Sequence, residues 1–83
     1  MYKLDFDKKA LKFFKKLDKF SQERIGKKLE NLKLNPQLGE SLIGNLSGLW
    51  KLRIGKYRVI YKIVENKLLI LVLDLGHRKN IYD

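Results

Sequence analysis

Hydrophobic and polar positions change period along this chain, and the changes mark its elements. Tyr2, Leu4 and Phe6 alternate with Lys3 and Asp5, the period-2 pattern of a strand. Asp7 is placed to cap a helix. Over residues 8–19 the period becomes helical: Ala10, Phe13, Phe14 and Leu17 share one face, and Lys8, Lys12, Lys15, Lys16 and Lys19 form a stripe on the other. Ser21 opens a second helix with a narrower apolar stripe of Ile25, Leu29 and Leu32, ending near Asn35 because Pro36 disfavours helical geometry in the residue before it. Residues 7–35 therefore read as a helical hairpin.

A loop carrying three glycines and two serines follows. Three strands are then expected, over residues 50–54, 57–64 and 67–75. The last, "KLLILVLDL", does not alternate and reads as a central strand buried on both faces. The order strand, two helices, three strands predicts an α+β fold: an N-terminal strand, a helical hairpin and a three-stranded antiparallel meander, with the helices packed on one face of the sheet.

The turn between the first two meander strands fixes a register. Gly55-Lys56, with glycine first, suits a two-residue type II′ turn. Ile54 then pairs with Tyr57, Arg53 with Arg58, Leu52 with Val59, Lys51 with Ile60 and Trp50 with Tyr61. One face collects Trp50, Leu52, Ile54, Tyr57, Val59, Tyr61 and Ile63 and can cover the helices. The other collects Lys51, Arg53, Arg58, Ile60 and Lys62, a basic face free of helices. Like charges directly opposite across a strand pair are destabilising, so the Arg53–Arg58 apposition asks for an offsetting use.

Composition narrows the possibilities. The chain has 83 residues, read as one domain over 1–83, and 45% of them are hydrophobic, ordinary for a globular protein. There is no cysteine, hence no disulfide framework or thiolate metal site, and a single histidine builds no histidine cluster. No apolar run reaches the ~18 residues of a membrane span, and "MYKLDFDKKA" has no signal-peptide hydrophobic region. A soluble cytoplasmic protein is expected. The 19 Lys and Arg against 9 Asp and Glu give a net charge of +10. Such a chain is attracted to polyanions: nucleic acid, the ribosome, an anionic membrane or an acidic partner protein.

The tail "GHRKNIYD" would bring His77, Arg78 and Tyr82 to one rim of the same sheet. Lys51, Arg53, Arg58, Arg78, His77 and Tyr82 together make four cations, an imidazole and a phenol, with no carboxylate. That set argues against a paired-carboxylate hydrolase and against a divalent metal site, and no cofactor is implied. It suits RNA phosphodiester chemistry: guanidinium forks grip phosphate and preorganised cations meet the developing anion. Histidine is the side-chain type best suited to proton transfer near neutral pH, which makes His77 a candidate, and Tyr82 can stack on a base or pass a proton. Taken singly, Lys51 and Lys62 are ordinary solvated strand residues, and a lone histidine is more often structural than catalytic.

The segments "LSGLWKLRIGKYRVIYKI" and "VLDLGHRKNIYD", with the strand–helix–helix–three-strand order, resemble the RelE/ParE superfamily of toxin–antitoxin toxins over essentially the whole chain. The resemblance to the RelE branch implies a ribosome-dependent endoribonuclease that cuts mRNA in the A site and is neutralised by a cognate antitoxin. Carried over by position, Lys51 and Arg53 are phosphate binders and candidate general bases, Arg58 a transition-state stabiliser, Arg78 an aid to the leaving group and Tyr82 a stacking or proton-passing residue. Arg53 stands where some members have lysine, and His77 lies close to where some place a catalytic histidine. Two alternatives stay open: the ParE branch, which inhibits DNA gyrase, and a non-catalytic basic module that binds RNA or antitoxin.

Overall fold

The computed structural model describes residues 1–77. Its elements are β1 (Lys3–Phe6), α1 (Lys8–Lys15), α2 (Lys19–Leu34), β2 (Glu40–Ser41), β3 (Leu49–Ile54), β4 (Tyr57–Val64) and β5 (Leu69–His77). They form a five-stranded sheet in the order β1-β5-β4-β3-β2. The expected antiparallel meander is β3-β4-β5, and β1 joins it in parallel along the far edge of β5. β5 thus has a neighbour on each side, as its unbroken apolar run required. The two-residue β2, pairing Glu40 with Lys51 and Ser41 with Trp50, was not foreseen. A pair that short lies below what a period-2 pattern can reveal.

The helix boundaries differ from the sequence reading. α1 stops at Lys15, because its last turn tightens: Lys16 N bonds Phe13 O and Leu17 N bonds Phe14 O, both at 3.2 Å. α2 begins at Lys19 with Asp18 as its cap rather than Ser21; the Asp18 carboxylate accepts from Ser21 N at 3.1 Å. Gln22 reaches back and donates to Phe14 O at 3.0 Å, a carbonyl that also accepts from Leu17 N, and so ties the two helices together. Asp7 has the extended backbone of a cap, but its side chain makes no capping bond.

Both helices pack on one face of the sheet. Ala10, Ile25, Leu29 and Leu32 meet Leu52, Ile54, Tyr57, Val59, Tyr61, Ile70, Val72 and Leu75, all of them buried. Tyr61 is the polar anchor of this core. Its ring stacks on Trp50 at 6.2 Å, while its hydroxyl donates to Pro36 O at 2.7 Å and accepts from Gly39 N at 3.0 Å. Burial pushes its pKa above the ordinary 10.0, and the Gly39 hydrogen bond partly opposes this. Gly39 is there for space: a Cβ would stand 2.6 Å from Lys51 O and 2.7 Å from the Tyr61 hydroxyl.

Candidate active site

The site is built on the β3–β4 hairpin. Gly55 takes φ +60 and Lys56 keeps a negative φ, so the two-residue turn has its left-handed residue where glycine stands. The register follows as read from the sequence, with Arg53 opposite Arg58 and Lys51 opposite Ile60. Continuing across β5, Arg58 faces Gly76 and Ile60 faces Asp74. Three rows therefore cross the helix-free face: Glu40, Lys51, Ile60 and Asp74; Arg53, Arg58 and Gly76; Leu49, Lys62 and Leu71.

The face is not the uniformly open basic surface that alternation suggested. Arg53 and Lys62 are exposed, but Lys51 is 8%, Ile60 1% and Arg58 1% accessible. Arg58 lies along the sheet and donates from Nη2 to the His77 carbonyl. Here the facing arginines are reconciled. Arg53 stays in water while Arg58 is buried and donates to a carbonyl dipole, so the two guanidiniums meet different surroundings. A buried cation needs such an oriented acceptor, because desolvation otherwise makes it costly.

His77 is placed differently from expectation. It pairs with Tyr57, and its ring packs against Tyr57 at 5.2 Å and Phe13 at 6.4 Å, on the helix side of the sheet. The imidazole therefore does not converge with Arg53 and Arg58; only its carbonyl reaches that cluster. Arg78 and Tyr82 lie outside the described residues. The sequence set also missed two carboxylates that the register adds to the face. Glu40 is opposite Lys51, and Asp74 is one row from Gly76. Asp74 Oδ1 accepts from Leu75 N at 3.0 Å. Asp74 was detectable as the one acid in "KLLILVLDL"; Glu40 was not, because β2 was not.

β5 shifts register between Ile60 and Tyr61, leaving Leu73 without an opposite residue on β4. A bulge of this kind re-aims side chains. It lets Asp74 and Gly76 line up beside Arg58 while Ile70 and Val72 keep facing the core. Among the described residues no three His, Cys, Asp or Glu gather as metal ligands, and no helix is long and apolar enough to cross a membrane.

This architecture and this face define a known class. The model of the ParE toxin family of type II toxin–antitoxin systems matches residues 4–82, and the chain belongs to that family, within the RelE/ParE superfamily. Among curated relatives, the mRNA interferase toxin RelE of Escherichia coli K12 is 31% identical over 80 residues, covering 94% of this chain and 84% of the relative. Among solved structures, the E. coli RelBE toxin–antitoxin complex contains a chain superposing with a TM-score of 0.83 at 27% identity, over 96% of this chain and all of that one. The RelBE2 complex of Mycobacterium tuberculosis gives 0.84 at 25% identity, over 93% and 98%. The α+β fold and membership among type II toxins are thereby established.

Proposed function

We propose that this toxin is a ribosome-dependent endoribonuclease that cuts mRNA in the A site without a metal ion. One observation carries the reading: Arg53 and Arg58 are fixed opposite each other on the sheet face that the helices leave uncovered. In the reaction the 2′-oxygen attacks its adjacent phosphorus and the P–O5′ bond breaks. A 2′,3′-cyclic phosphate and a 5′-hydroxyl result; the 2′-proton passes to a base and a proton is delivered to the leaving 5′-oxygen. Exposed Arg53 makes first contact with phosphate, with Lys62 supporting the backbone. Arg58, held by the His77 carbonyl, supplies preorganised positive charge to the pentavalent anion. Within the Lys51, Arg53 and Arg58 cluster, Lys51 is the one given the 2′-proton, since a guanidinium stays charged and cannot accept it. Arg78 assists the leaving group and Tyr82 stacks on the base. The imidazole of His77, facing Phe13, is given no proton-transfer step.

The ribosome enters because a small basic face cannot by itself align a flexible strand for in-line attack; the decoding site supplies that alignment. The partner in the resting cell is a cognate antitoxin, an acidic and partly disordered chain suited to this surface. The relatives named as mRNA interferases support the ribonuclease reading, and the RelBE complexes support the antitoxin partner. A second reading, inhibition of DNA gyrase, is favoured by the ParE description of the matching family. Primer extension on ribosome-engaged mRNA tests the first. Discrete cuts within the A-site codon are expected, at a rate unchanged by varying Mg2+ over the range that keeps ribosomes intact. Efficient cutting of naked RNA, or no cutting together with loss of supercoiling in a gyrase assay, would overturn it.

A further inference from the structure

A second concave surface lies on the helix layer. Phe20, Glu23, Arg24 and Lys27 line a cavity of about 510 Å³ on α2. Their spacing of i, i+3, i+4 and i+7 makes one stripe, and it is not the stripe that faces the core, which is Ser21, Ile25, Leu29 and Leu32. Phe20 is 71% exposed, so its ring is not used in folding. Arg24 is placed by the hairpin turn: a Cβ on Gly55 would stand 2.7 Å from its Nη1. Lys56, in the same turn, is exposed. Arg24 and Lys27 thus stand beside the aromatic ring, and Lys56, its Nζ 5.6 Å from the Tyr57 ring centroid, sits in the turn that meets Arg24.

We propose that this cavity binds one unpaired nucleotide of single-stranded RNA, with the base stacked on Phe20 and its phosphate held by Arg24 and Lys27. The composition decides among polyanions. An acidic protein helix would ask for an apolar stripe, and here one aromatic stands among charged groups. A stacking platform beside fixed cations is how single strands are held. Glu23 adds an acceptor for base N–H groups and disfavours a phosphate sitting directly over it. The site goes beyond the proposed cleavage and does not depend on it, because it lies on the opposite layer from the Arg53–Arg58 face.

Fluorescence anisotropy with a labelled single-stranded 2′-O-methyl RNA octamer tests it, since that probe cannot be cut and the readout is binding alone. Phe20→Leu is expected to weaken binding about tenfold, the loss of one base stack, and Phe20→Trp to restore it. Lys27→Ala is expected to flatten the salt dependence by about 0.7 in log–log slope. The same changes should appear in an Arg53→Ala background. Equal binding by Phe20→Leu and wild type would overturn the proposal. So would equal affinity for the octamer and its duplex, or displacement of the RNA by an acidic amphipathic peptide as effectively as by unlabelled octamer.

Discussion

The two faces of this sheet are built from the same strands and obey different rules. On the helix side, Leu52, Val59 and Leu75 are apolar, buried and matched to Ile25, Leu29 and Leu32. Their burial is its own stabilisation. On the other side, Lys51 and Arg58 are as buried as the core, yet they are cations, and Arg58 stands opposite another arginine. That face is an expensive use of a small domain. The contrast teaches that burial alone does not separate core from site; what separates them is whether the buried group needs a directed partner to be tolerated. Arg58 has one in the His77 carbonyl.

Substitutions can break this contrast from either side. The largest effect is expected at Arg58. Arg58→Ala should lower cleavage on the ribosome by about 100-fold or more. It should also cost about 1–3 kcal/mol in urea unfolding, because a side chain only 1% accessible is removed and the part-buried His77 carbonyl loses its donor. A site that was merely a surface patch would lose activity with no loss of stability. On the helix side, Ile25→Ala, at 0% exposure, should cost about 2–5 kcal/mol by chemical denaturation and leave cleavage per folded molecule unchanged. A specific catalytic defect in that variant would mean the faces are not separable.

Two smaller effects sharpen the comparison. Tyr61→Phe removes the hydroxyl that serves both Pro36 O and Gly39 N. It should cost about 1–3 kcal/mol and leave the melting profile cooperative. Asp18→Ala should lower the melting temperature modestly at neutral pH. The hydrogen bonds from Ser21 hold the Asp18 carboxyl below its ordinary 3.8, so the carboxylate's contribution is present above that value and lost as pH falls through the lower folded one. The gap between wild type and variant in a pH series should close in acid; a constant gap would show that capping is not its cause.

Much of this was legible in the residues, for physical reasons. The Gly55-Lys56 turn fixed the hairpin register down to the arginine pair, because a two-residue loop leaves no slack. The non-alternating run of β5 marked it as interior. Side-chain reach was not legible. Alternation puts Arg58 on the polar face, but only the structure shows its guanidinium folded onto the β5 backbone instead of extended into water. His77 was misplaced for a related reason: β5 runs to His77 rather than stopping at Leu75, and the bulge at Leu73 reverses the alternation set by Ile70 and Val72, so Leu75 and His77 share the helix side and the ring meets Phe13. Asp18 outcompeted Ser21 as the α2 cap because its carboxylate can accept from the Ser21 amide, three residues on.

Whether the facing arginines act on phosphate is reached directly by one measurement. Primer extension on ribosome-bound mRNA would compare wild type with Arg58→Lys, each scaled to its folded fraction by circular dichroism. Lysine keeps the charge but not the fork that the His77 carbonyl and a phosphate would share. The predicted result is A-site cutting by the wild type and a loss of about 100-fold or more in the folded variant. A folded Arg58→Lys that cuts at the wild-type rate would contradict it.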